Sequence, residues 1–169
     1  ELDIKGYCTW LESRLGHPHW AIIPDVIDGT DDDNYQMIKD WPMRKELSAV
    51  VWHMGSSIKY LHKLIDSEYP KICFGSSGKY WQVGSYEWEQ RCDLAFNSIV
   101  KNGKVPYIHM LRGLNMAGKR WPFASADSVN VARNYKDKDK DPEKMARAID
   151  SIQSPLQWEN MMLQKELAV

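Results

Sequence analysis

Five short apolar runs punctuate the chain, at residues 20–27, 47–54, 71–75, 106–111 and 122–126. Continuous apolar runs bounded by turn residues suit strands buried on both faces. The stretches between them carry apolar residues at helical spacing. Residues 31–41 open with three acidic residues, favourable at a helix N-terminus, and place Tyr35, Ile38 and Trp41 on one face. Residues 57–67 repeat the pattern with Ile58, Leu61 and Ile65. The clearest stripe runs over 85–100, through Trp88, Cys92, Ala95, Phe96 and Ile99, with Ser85 as N-cap. Residues 142–153 add Met145, Ala148, Ile149 and Ile152, with Pro142 in the first turn.

Strands alternating with helices predict an α/β fold with a parallel sheet. Every predicted strand ends in a polar or glycine-containing cluster, at 25–29, 53–56, 75–78, 112–113 and 125–128. Sites in (β/α) barrels lie on that C-terminal rim. The expectation is therefore a TIM-type (β/α) barrel or partial barrel, with residues 1–169 as one domain. A closed barrel needs about eight strands. The shortfall, and a first residue that is Glu1 rather than Met, lead us to expect N-terminal strands upstream of this sequence. The sign-alternating stretch 135–144 reads as a solvated loop.

A net charge of −1 argues against tight, sequence-independent nucleic-acid binding, which needs several phosphate contacts, but leaves room for a local basic patch. Eight Trp and eight Tyr point to an aromatic core first and to ring stacking second. Cys8, Cys73 and Cys92 fit neither a zinc ribbon nor a disulfide scaffold, so reduced thiols and a cytoplasmic location are expected. No run approaches the length of a membrane span. His17-Pro18-His19 lacks the neighbouring ligands of a metal site, and nothing calls for a cofactor.

Candidate chemistry gathers at the strand ends. Residues 123–134 deliver one carboxylate, Asp127, into small and hydroxylated neighbours, with Arg133 and Asn134 close behind. A carboxylate so displayed can act as nucleophile, base or hydrogen-bond acceptor. Asp25 and Asp28 lie three apart at the first strand end; they read as carboxylates that accept from the donor edge of a purine or serve acid/base work or, for Asp28, as a turn cap. His53 is either a ligand contact or a satisfied core histidine. Gly75 and Ser76 open a glycine-rich turn that offers backbone N–H groups to a phosphate or carbonyl, or simply joins strand to helix; it is not a Walker loop. Tyr80 and Trp81 either stack a base or pack. Arg112, Lys119 and Arg120 suggest a modest basic cluster on the rim.

Together these motifs resemble queuine tRNA-ribosyltransferases. Asp127-Ser128-Val129 followed by Ala132-Arg133-Asn134 resembles the Asp-Cys-Val…Thr-Arg-Asn signature around that family's nucleophilic aspartate. Pro24-Asp25 resembles its base-recognising strand end, His53 stands where it has a glutamine, Gly75 where a glycine turn meets the base carbonyl, and Met110 near an apolar residue that sandwiches the ring. The wording of 22–29, 74–78 and 125–134 is similar to phage-encoded relatives associated with 7-deazaguanine bases in DNA. The family's Cys-x-Cys-x2-Cys zinc motif is missing, its second, acid/base aspartate would lie upstream of Glu1, and only 113–121 link the last two strands. The resemblance implies a base-exchange transglycosylase acting on a purine or 7-deazaguanine nucleoside in nucleic acid, DNA or RNA, with a free base as second substrate. Asp127 would be the nucleophile and Asp25, Asp28, His53, Gly75, Ser76, Met110, Arg133 and Asn134 would bind substrate. A base-binding protein without catalysis and a nucleosidase stand as alternatives, and a homo-oligomer is left open.

Overall fold

The structure, a computed structural model, describes residues 3–26, 29–103, 105–134 and 141–158. Five parallel strands pair in sequence order: β1 (Ala21–Ile22), β2 (Ser48–His53), β3 (Lys71–Gly75), β4 (Tyr107–Met110) and β5 (Ser125–Ala126). The sheet curls into a half-barrel. Trp20 measures the curl. Its ring lies 5.3 Å from that of His109 on β4, although β1 and β4 would stand about 14 Å apart in a flat sheet.

Among the described residues six α-helices accompany the strands: α1 (Ile4–Glu12), α2 (Asp31–Lys39), α3 (Ile58–Asp66), α4 (Tyr86–Lys101), α5 (Asn130–Asn134) and α6 (Pro142–Asp150). Sequence patterning anticipates α2, α3, α4 and α6 but passes over α1 and the short α5. Their starts are chemically marked. Thr30 and Asp33 form a reciprocal capping box on α2, and Ser57 and Ser85 accept from the Tyr60 and Trp88 N–H groups. Asp141 caps α6, so the charged stretch 135–144 ends in a helix start rather than wholly in loop.

The two faces of the sheet differ. Val50, Trp52, Ile72, Phe74, Ile108 and Met110 point to the helices and join Leu61, Leu64, Trp88 and Phe96 in one large core. Trp52 meets Phe74 edge-on at 4.8 Å. Burying each such side chain stabilises by roughly 1.5–3 kcal/mol. The opposite, concave face holds a small cluster of Ala49, Val51 and Cys73 under Trp20, Ile22 and Leu111.

The edge strands are shorter than their apolar runs. Beyond Ile22 only the Ile23 N–H reaches β2, at Ala49 O. Pro24 then offers no donor, and the chain leaves the sheet. The short link from β4 to β5 holds a single helical turn at Leu114–Met116. It is tied down by Asp93 of α4, which accepts from Trp121 Nε1 at 2.9 Å and Arg120 Nη2 at 2.8 Å. Arg120 also faces Glu89 at 3.7 Å. Its charge is thus spent on α4, a correction to the rim cluster read from sequence. Among the described residues no helix is long and apolar enough to cross a membrane, and Cys8, Cys73 and Cys92 are free thiols.

Candidate functional site

Strand pairing sorts the inward side chains into layers, as in barrels built from parallel strands. The deepest contains Ala49, Lys71 and Tyr107, with Ile22 beside Ala49. Above it run Val51, Cys73, His109 and Ser125. The rim layer begins with the pair His53 and Gly75. Met110 pairs with Ala126, so one residue further Leu111 and Asp127 complete the same layer. The period of two in strands puts His53, Gly75 and Asp127 on one concave side.

At the β1–β2 end, Asp25 Oδ2 lies 2.6 Å from His53 Nε2. The loop that presents Asp25 is pinned by buried Asn34, whose Oδ1 accepts the Val26 N–H at 2.8 Å and whose Nδ2 donates to Thr30 O. The hydrogen bond from His53 holds the Asp25 carboxyl below its usual range, against the opposing effect of partial burial. The ionised carboxylate fixes Nε2 as the protonated nitrogen, leaving Nδ1 on the side of Gly75. Asp25, His53, Asn34, Gly55, Ser57 and Ser77 line an open cleft of about 520 Å³. Arg91 secures its β2–α3 wall by donating to Met54 O at 2.8 Å and to Ser56 O.

At the β4–β5 end, Asp127 closes the ladder: its N–H donates to Met110 O at 3.2 Å and its carbonyl accepts from the Leu114 N–H at 3.1 Å. The side chain is 53% exposed. Its Oδ1 accepts the backbone N–H of Arg112, a residue at φ +58. That left-handed conformation costs a non-glycine residue about 1 kcal/mol or more, and here it aims a donor at the carboxylate. His109 stands below, 7% exposed. Its Nδ1 is 2.6 Å from Ser125 Oγ and its Nε2 is 3.9 Å from Asp127 Oδ1. Burial pushes the His109 pKa down despite the pull of Asp127. The tautomer serving both contacts has Ser125 donating to Nδ1 and Nε2–H turned to the carboxylate. Cys73, beneath the rim, is pushed up to about 12 by burial and by the Asp127 charge, and so stays a neutral thiol.

Several expected contacts fall elsewhere. Met110 is fully buried in the helix-side core. Strand alternation turns it away from the concave face, so it does not sandwich a ring there. Ser76 likewise faces the helices, accepting from Trp88 Nε1 at 3.0 Å. Its neighbour Ser77 lines the cleft and accepts the Gly55 N–H. Arg133 is exposed and Asn134 half-buried on the short helix α5 that leaves the rim. Tyr80 is half-buried under the Arg91 guanidinium, whereas Trp81 is 70% exposed. Asp28 lies outside the described residues.

Sequence reasoning overlooked Trp20 and His109, and took Ser77 only as part of the glycine-rich turn. The signal for His109 was present as parity: His109 and Leu111 share one face of their strand, as do Ser125 and Asp127 of theirs. Comparison with family models, with curated proteins and with solved structures finds no match to this chain.

Proposed function

We propose that this chain is a transglycosylase-like protein on part of a TIM-type barrel, exchanging a purine or 7-deazapurine base within nucleic acid. The observation that carries the reading is the rim layer: strand register puts Asp127, Gly75 and His53 on the concave side of the sheet, and Asp25 is hydrogen-bonded to His53. The resemblance of the 127–134 motif supports the same assignment.

Asp127 attacks C1′ of the sugar. A carboxylate oxygen bonds to carbon while the carbon–nitrogen bond to the base breaks, leaving a glycosyl ester. An incoming base then displaces the carboxylate. The Arg112 N–H and His109 Nε2–H orient the nucleophile, and its exposure leaves the attack path open. Gly75 provides a side-chain-free surface for a flat ring. The Asp25 oxygen not engaged by His53 accepts N–H groups of the base, so bases without them leave a polar atom unpaired. A duplex substrate has its nucleotide flipped out.

Incubation with an oligonucleotide and excess labelled base tests this. Incorporation of label, with a sugar-bearing mass increase on the Asp127 peptide after denaturation, is expected, and Asp127→Asn loses both. Exchange that persists in Asp127→Asn refutes the nucleophile. Base binding with no adduct indicates a binding protein instead. The open rim around Asp127 gives water a route to the ester, so free base released without an acceptor base identifies a nucleosidase.

A further inference from the structure

The Asp25–His53 pair leaves one imidazole nitrogen uncommitted, and the residue opposite it has no side chain. Nε2 is taken by Asp25. Among the described residues no hydrogen bond reaches Nδ1. A Cβ at Gly75 would stand 3.3 Å from Nδ1 and 3.6 Å from Cε1. Glycine there keeps the approach to that nitrogen clear.

A departing purine needs a proton, because its anion is a poor leaving group, and an incoming base must shed one. The nucleophile reacts as a carboxylate and cannot also serve as the acid. Among the described residues, the other inward titratable groups are poorly suited. His109 is buried, with Nδ1 on Ser125 and Nε2 turned toward Asp127. Cys73 is fully buried. Lys71 and Tyr107 lie in the deepest layer, at the far end of their strands. His53 is half-buried on the rim and backed by the Asp25 carboxylate at 2.6 Å, the arrangement that orients an imidazole for proton transfer.

We propose that His53, oriented by Asp25, is a catalytic residue that carries the proton between the departing and incoming bases. The role rests on the glycosyl-transfer reading above. In the first half-reaction the Asp127 oxygen bonds to C1′, the glycosidic electron pair leaves with the base, and the Nδ1 proton of imidazolium passes to that base. In the second, neutral Nδ1 takes the N–H proton of the incoming base as its nitrogen bonds to C1′ and the ester carbon–oxygen bond breaks. Each cycle ends with imidazolium restored.

The test compares single-turnover formation of the Asp127 adduct on two single-stranded oligonucleotides, one with guanine and one with 7-methylguanine. The methylated base is cationic and departs neutral without a proton. His53→Gln should slow adduct formation on guanine about 100-fold or more, and on 7-methylguanine by no more than about three-fold, each relative to wild type. His53→Asn, a shorter neutral replacement, should show the same selectivity; it decides the matter if His53→Gln does not fold. Equal slowing on both substrates, or an unchanged guanine rate, overturns the role of His53. Absence of any adduct with the wild-type protein on either oligonucleotide overturns the glycosyl-transfer reading itself.

Discussion

His109 Nε2 sits 3.9 Å from an Asp127 carboxylate oxygen, from a strand position that is almost wholly buried. The pair joins β4 to β5 just where the sheet ends. Ser125, two residues before Asp127 on the same face, engages the other ring nitrogen at 2.6 Å. The imidazole is therefore held by Ser125 and turns its other nitrogen toward the candidate nucleophile.

Replacing that imidazole should disturb orientation more than binding. Among the described residues, His109→Leu leaves the Asp127 carboxylate with the Arg112 N–H and leaves the Ser125 hydroxyl without its partner. Adduct formation is expected to slow by about ten-fold or more at saturating substrate, with KM little changed. Denaturant titration should show a loss of about 1–2 kcal/mol from the orphaned hydroxyl. A raised KM with an unaltered rate would contradict the orienting role.

Stability should fall toward acid in two windows. The folded state lowers the His109 pKa, so the unfolded chain binds the proton more readily. Stability from keeping this group neutral is complete above the unfolded value of about 6.5 and is lost as pH falls through the folded value. Asp25 is also depressed in the folded state. Its contribution is complete above about pH 4 and is lost as pH falls further through the folded value. Thermal melts across pH 3–8 should show both declines. His109→Leu should flatten the upper one and Asp25→Asn the lower.

Phe74 lies at the centre of the helix-side core, touching the Trp52, Phe96 and Phe123 rings at 4.8, 5.8 and 6.2 Å. Phe74→Ala should cost about 3–5 kcal/mol, whereas Phe74→Leu, closer in volume, should cost about half that or less. Urea unfolding followed by Trp fluorescence measures both.

Asp93 is a buried carboxylate that satisfies Arg120 and Trp121 together. Asp93→Ala leaves the buried Trp121 indole N–H without an acceptor and Arg120 with Glu89 as its remaining carboxylate, and should destabilise by about 1–3 kcal/mol. The link it anchors ends at β5, so adduct formation at Asp127 should fall as well. Double substitution of Asp93 and Arg120 should recover part of the stability but not all, since Trp121 stays unpaired.

Cys73 and Cys92 are fully buried, with their thiols raised to about 12 and well above the ordinary value respectively. Neither should react with a thiol reagent at pH 8 in the folded protein, and both should react on unfolding. Rapid labelling of Cys73 in the native state would show that the concave face opens.

The amino-acid sequence by itself determined the elements whose signals are local. Continuous apolar runs marked β2, β3 and β4, because strands buried on both faces need apolar residues on both. Helical spacing with capping residues marked α2, α3, α4 and α6. Asp25, His53, Gly75 and Asp127 were legible as strand-end polar residues, which a packed sheet has no need of. Tertiary structure alone decided which of them meet. Register and parity turned Met110 and Ser76 to the helices and brought His109 under Asp127. The 2.6 Å approach of Asp25 to His53 joins residues 28 apart in sequence and depends on where Pro24 releases the chain from β1. Such contacts arise from strand pairing and sheet curl, and no spacing along the chain encodes them directly.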